Sequence, residues 1–203
     1  GAKNYAKYAT FSSATFPDVV RDFKLVNINT LQLRQGYNPI YDYTSKAEVP
    51  KSIDVLFFGE RTSYRDKIIQ NLKSQGISVQ TYGKGWDKEA VYSDDLIKLV
   101  DTSKIILNIT RPDGKGFSVK VFDLLAMKSC VVSTHSDDID IVFEKDRHLV
   151  VASSESDMVD KIKVLLRDDR RCRRIASAGR NKVIKYHSWL HRMQYLIDTV
   201  YKN

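Results

Sequence analysis

Between Ser103 and Val131 the chain reads as a buried strand, a loop carrying two glycines, a helix and the start of a further strand. A helix that opens directly after a glycine-rich loop offers unpaired N–H groups and the positive end of its dipole, an arrangement that suits a phosphate. Gly116, Phe117, Ser118 and Val119 form that junction, and Asp123 stands on the second turn, where a carboxylate can reach a ribose. The chemistry indicated is binding of a nucleoside diphosphate without a GxGxxG motif. The chain carries no Walker P-loop and no nucleophile elbow.

The elements around this stretch alternate. Strands are expected at Asp54–Phe58, Ile77–Tyr82, Lys104–Ile109, Ser129–Thr134 and His148–Ala152. Helices are expected at Tyr64–Ser74, Asp94–Val100, Ser154–Leu166, Asp168–Lys185 and Ser188–Tyr201, the third opened by a Ser-x-x-Asp capping pattern. Strands separated by helices of this length make βαβ units, so the fold class is α/β with a Rossmann-like parallel sheet flanked by helices. Such sheets bind ligands beyond the carboxyl ends of their strands. One rim therefore gathers Arg61, the Gly83-Lys84-Gly85-Trp86 loop, Asn108 and the Gly116–Ser118 turn. Before this domain, Phe23–Ile28 is expected as a strand, Gly36–Pro39 as a turn or linker, and Lys46–Lys51 as a boundary. The chain divides into an N-terminal segment and linker, 1–45, and a Rossmann-like domain with closing helices, 46–203.

With 203 residues, 42% hydrophobic and 29% charged, the composition fits a soluble globular class and excludes wholesale disorder. No apolar run approaches the ~20 residues of a membrane helix. The net charge of +8 favours anionic partners. Its densest run, Arg167–Arg174, has no interleaved aromatics, which argues for a solvated helical face over a single-strand nucleic-acid site. Cys130 and Cys172 make no disulfide framework, and a cytoplasmic setting is expected. Asp138-Ile-Asp140 has the form of a metal-binding DxD, but it follows a late strand and reads better as a surface loop and helix cap. His187 and His191, four apart, are expected to belong to the closing helices rather than to a metal.

From about Gly36 to the C-terminus the chain resembles the C-terminal, donor-binding half of GT-B glycosyltransferases, more narrowly the group 1 and CgeB-like branch. The resemblance rests on ordered blocks: Gly36–Tyr41, Val55–Arg61, Tyr82–Trp86, Ser103–Asn108, Gly116–Ala126, His148–Val150, Ala178–Arg180 and His187–Arg192. It implies a nucleotide diphosphate sugar as donor substrate, with no separate cofactor and no metal. The N–H groups of Ser118 and Val119 would hold the diphosphate. Lys120, where the family usually has Arg, and Arg61 would neutralise it as the catalytic charges. Asp123, at the family's usual Glu, would bind the ribose. Gly83, Lys84 and Trp86 would lie against the base, and Asn108 is either a loop anchor or a ligand. Lys128 replaces the family's usual Gly at the end of the helix. The resemblance implies sugar transfer to a carbohydrate or other acceptor hydroxyl, of the hexosyltransferase type, mostly with retention. GT-B enzymes build their cleft between two domains. The expectation is thus an excised domain, a minimal enzyme, or a non-catalytic donor-binding half needing an N-terminal acceptor domain on the same or another chain; a basic nucleic-acid binder is the weakest alternative.

Overall fold

The computed structural model of the chain describes residues 2–42, 49–110, 112, 118 and 120–201. The boundary expected at Lys46–Lys51 falls largely outside them. A small N-terminal unit comprises α1 (Ala2–Ala6), β1 (Ser12–Ala14), α2 (Pro17–Lys24) and β2 (Thr30–Gln32), with β1 and β2 paired in parallel and Ser12 opposite Thr30. This departs from the strand expected at Phe23–Ile28. Pro17 occupies the first helical turn, where its fixed φ is already suitable, and Asp18 faces the positive dipole end. The Asn27 side chain then donates to the carbonyls of Ala6 (2.8 Å) and Ala9 (2.7 Å) and accepts from Asn29 N–H. That makes 25–29 a turn and delays the strand to Thr30.

The main sheet contains β3 (Ile53–Phe58), β4 (Val79–Tyr82), β5 (Ser103–Asn108), β6 (Val131–Thr134) and β7 (Val150–Ala152), interleaved with α3 (Ser63–Ser74), α4 (Ser93–Asp101), α5 (Lys120–Ala126), α6 (Asp137–Val142) and α7 (Glu155–Leu166). Two long helices, α8 (Asp169–Tyr186) and α9 (Trp189–Tyr201), close the chain. All strand pairs are parallel, in the order β4-β3-β5-β6-β7. Residues alternate between two cores. Leu56, Ile106, Val131 and Val151 pack under α4, α5 and α6, while Val55, Phe57, Leu107, Val132 and Val150 pack under α3 and α7. Helix α8 serves both, with Ile175 in one core and Val183 in the other.

The expected linker at Gly36–Pro39 is a clasp against the closing helices. Tyr37 N–H donates to His187 O (2.9 Å), Tyr37 bridges Ser188, and Arg192 Nε donates to Gln35 O (3.2 Å). A Cβ on Gly36 would lie 2.5 Å from the Ser188 carbonyl carbon, so only glycine permits the approach. Among the described residues no helix is long and apolar enough to cross a membrane.

Helix α5 ends in a Schellman turn: Ser129 N–H reaches Leu124 O and Lys128 N–H reaches Leu125 O, with Lys128 at φ +57°. Lysine thus holds a left-handed position that costs an L side chain free energy. Lys128→Gly is expected to raise the thermal midpoint by about 1–3 °C, from a gain of roughly 0.5–1 kcal/mol, measured by calorimetry.

Candidate functional site

The strand order reverses between β3 and β5: the chain steps from β3 to β4 towards one edge, then from β5 through β6 to β7 towards the other. Such a reversal opens a crevice at the carboxyl ends of the two strands, here at Phe58 and Asn108. Lys120, the first residue of α5, enters this crevice. Its Nζ donates to Phe58 O (2.5 Å) and lies 4.9 Å and 4.7 Å from the ring centres of Phe57 and Phe58. Burial pushes its pKa down to about 7, and the charge of Arg65 adds to the fall. Arg65, on the first turn of α3, donates to Glu60 O (2.9 Å) and lies over Phe57 at 5.7 Å. A Cβ on Gly59 would meet Lys120 Nζ at 3.5 Å and Arg65 Nη1 at 3.7 Å, so the two cations flank one glycine. Neither makes a carboxylate ion pair among the described residues.

Sequence reasoning singled out Arg61 and missed Arg65. Arg61 Nη2 is bonded to Asp66 (2.9 Å), its guanidinium lies 5.3 Å over Trp86, and its side chain is 44% exposed. The missed signal was spacing: Arg65 falls on the helix turn nearest Gly59, whereas Arg61 lies in the loop and turns back on Asp66. Gly83 adopts φ +122°, and a Cβ there would lie 2.6 Å from Gly59 O, so the β3 and β4 loops touch backbone to backbone. Trp86 Nε1 donates to Gly59 O (2.9 Å), its ring edge-on to Phe57. Lys84 is exposed and paired with Glu60 (2.9 Å). Trp86 and Gly83 thereby shape the Gly59 turn, while Lys84 stays on its outer side.

Asp123 lies one turn beyond Lys120 on the same helix face. Its Oδ1 accepts from Asn38 N–H of the clasp (2.7 Å). Burial lifts its pKa to about 6, partly offset by that N–H. Ser118 O accepts from Val121 N–H (3.0 Å), continuing the first turn backwards by i→i+3. Gly116, Phe117 and Val119 lie outside the described residues. Asn108 is fully buried at the end of β5, its Nδ2 donating to Ser133 Oγ (2.8 Å). This geometry is that of a strand anchor, although its Oδ1 has no hydrogen-bond partner among the described residues.

The aspartates of Asp138-Ile-Asp140 lie in the first turn of α6. Asp138 is buried and pairs with Arg34 (3.4 Å), and Asp140 pairs with Lys145 (2.7 Å). The two expected helix-mates His187 and His191 fall on different elements. His191 Nδ1 meets Ser188 Oγ (2.5 Å), and His187 caps α8. Arg192 Nη2 lies 2.6 Å from His187 Nδ1 and must be the donor, so Nδ1 carries no proton.

A family model described as glycosyl transferase-like matches residues 61–198. No curated protein sequence matches significantly. Among solved structures, HepE from Anabaena in complex with UDP superposes with a TM-score of 0.79 at 14% identity, covering 100% of this chain and 66% of that one. A TarM variant from S. aureus, in complex with fondaparinux, alpha-GlcNAc-glycerol and UDP, gives 0.73 at 12%, covering 97% and 45%. Sucrose-phosphate synthase from Thermosynechococcus elongatus gives 0.72 at 12%, covering 99% and 61%. The chain thus spans about half to two-thirds of the length of these neighbours.

His187 packs against Phe122 (5.5 Å) and Phe143 (6.0 Å), and burial, followed by the charge of Arg192, pushes its pKa down to about 3. Its folded pKa lies below the unfolded value near 6.5, so unfolding takes up a proton. The stability is present above pH 6.5 and is lost as pH falls towards 3. Asp123, raised to about 6, acts with the opposite sign between about pH 6 and 4. Comparison with His187→Gln isolates the histidine: between pH 6.5 and 4.5 the wild type is expected to lose roughly 1–2 kcal/mol more than the variant in urea titrations.

Proposed function

Because the chain belongs to the glycosyl transferase-like family, matched over residues 61–198, we propose that it is the donor-binding part of an enzyme transferring a sugar from a UDP- or GDP-type nucleotide sugar to an acceptor hydroxyl. The observation that carries this reading is the Lys120–Arg65 pair at the strand crossover. Two cations lie on either side of Gly59, one of them buried and weakened in basicity until an anion joins it. A diphosphate placed there gains two charge-assisted bonds and restores the Lys120 charge. As the glycosidic bond breaks, negative charge grows on the departing diphosphate, and fixed cations in a sparsely hydrated crevice stabilise that charge more than the ground state. In this reading Lys120 and Arg65 do the neutralising without a metal, and retention is the expected stereochemistry. Asp123 orients the ribose through the carboxylate oxygen not bonded to Asn38. The complexes of HepE and TarM with UDP support a uridine nucleotide first.

The acceptor is proposed to be held by an N-terminal domain on the same or another chain. The share of its neighbours that the chain spans keeps a second reading in play, a donor-binding half without turnover of its own. Hydrolysis or transfer assays with the chain alone separate the two.

Calorimetric titration with UDP and GDP in EDTA is expected to show binding of one nucleotide. Lys120→Met and Arg65→Ala should each weaken it by about tenfold or more, the worth of one charge-assisted hydrogen bond. Arg170→Ala and Arg174→Ala should leave it unchanged. At pH 8, titrations in buffers of different ionisation enthalpy should reveal proton uptake that Lys120→Met abolishes, because the phosphate returns Lys120 to its charged form. No binding of either nucleotide, or binding indifferent to both substitutions, would overturn the proposal.

A further inference from the structure

Helix α8 (Asp169–Tyr186) carries seven arginines and lysines against one acidic residue, so it holds most of the +8 surplus of the whole chain. The charges are not spread evenly around it. Cys172, Ile175, Ala176, Gly179 and Val183 make its buried face. On the opposite face Arg170, Arg174, Asn181 and Lys185 follow one another at i, i+4, i+11 and i+15, all exposed, and Arg173 is exposed beside them. At the rise of an α-helix the row is about 22 Å long. Among the described residues, Arg180 alone of the seven cations is paired with a carboxylate, that of Asp42 (2.7 Å). The one acidic residue, Asp169, lies off the row and its charge acts on Lys104.

This placement works against the helix itself. Arg170 and Arg171 stand in the first turn, at the positive end of the dipole, where cations are unfavourable. Arg170 with Arg173 and Arg174, and Lys182 with Lys185, are like charges three or four residues apart, which repel. An anionic surface outside the molecule would relieve both costs. The shape of the row selects that surface. It lies on the outward side of a helix, and no aromatic residue stands among its arginines on which a base could stack. At its C-terminal end Tyr186 is 47% exposed, with Lys182 Nζ at 5.1 Å and Lys185 Nζ at 5.0 Å from its ring centre. A phenol flanked by cations suits the headgroup layer of a bilayer, where the ring meets apolar chains, its hydroxyl stays wet and the cations meet lipid phosphates.

We infer that the outward face of α8 is a docking surface for an anionic lipid bilayer, with Arg170, Arg173, Arg174 and Lys185 meeting the phosphates and Tyr186 lying at headgroup level. Adsorption of this kind is peripheral and requires no membrane-crossing helix. It stands independently of the sugar-transfer reading.

Co-sedimentation of the full chain with phosphatidylcholine vesicles containing one part in three of phosphatidylglycerol tests it. Binding to these vesicles is expected, with none to pure phosphatidylcholine and loss in about 1 M salt, where the screening length falls to about 3 Å. Arg170→Ala, Arg174→Ala and Lys185→Ala should each lower the partition coefficient about fivefold, the worth of one cation at an anionic surface. Lys67→Ala and Lys98→Ala remove equal charge from α3 and α4 and should change it less than about twofold, because charges beyond the screening length contribute little. The arginine variants should keep or raise the thermal midpoint, since each removes a repulsion, so that lost binding is not lost folding. No binding to the anionic vesicles, binding that pure phosphatidylcholine shares, or equal losses in the row and control variants would overturn the proposal. Row-dependent binding of a DNA duplex at the same salt, without vesicle binding, would overturn it in favour of a nucleic acid.

Discussion

The bond from Lys120 Nζ to Phe58 O ties the first turn of α5 to the last residue of β3, and the organisation of the rim follows from it. It sits at the point where strand order reverses, just beyond the paired stretch of β3 and β5. The Phe57 and Phe58 rings shelter the ammonium and partly replace water as its surroundings. The replacement is incomplete, which is why its basicity falls. Around it, the contact of Gly83 with Gly59 and the indole bond of Trp86 fix the turn that Arg65 approaches. Packing thus keeps two basic side chains beside the same glycine.

Asp123 connects this charge to the rest of the chain. Its carboxylate accepts from the clasp at Asn38, and the clasp is held by Tyr37, Arg192 and the Arg180–Asp42 pair (2.7 Å). Neighbouring side chains on one face of α5 therefore reach different partners, Lys120 the sheet crossover and Asp123 the N-terminal linker. A ligand reaching both residues would touch the sheet and the linker at once.

Much of this was legible in the sequence because the main sheet obeys local rules. Runs such as Val55-Leu56-Phe57 and Ile105-Ile106-Leu107 are buried on both faces and announce central parallel strands, and Ser154 caps α7 through Asp157 N–H as its spacing implies. The N-terminal unit was not legible. Its strands are three residues long, too short to show a period, and the turn before β2 depends on Asn27 reaching carbonyls 18 and 21 residues away. Around Gly59 the residue types are plain in the sequence, but their partners are not. Whether Arg61 or Arg65 faces Gly59 depends on where α3 begins, and Thr62 sets that by capping Arg65 N–H. Asn108 reads as a polar residue at a strand end, and only the neighbouring strand, through Ser133, shows that it is anchored.

The clasp also bears on how the chain is made. Tyr37 pairs with Ser188, a partner about 150 residues later, and Gly36 cannot take its place until the α8–α9 corner exists. At roughly 5–20 residues per second of synthesis, residues 34–38 wait on the order of ten seconds or more before that surface emerges. The whole five-stranded sheet, itself built from non-local parallel pairings that form slowly, is translated in the interval. The linker between the N-terminal unit and the sheet therefore becomes native only well after its own synthesis.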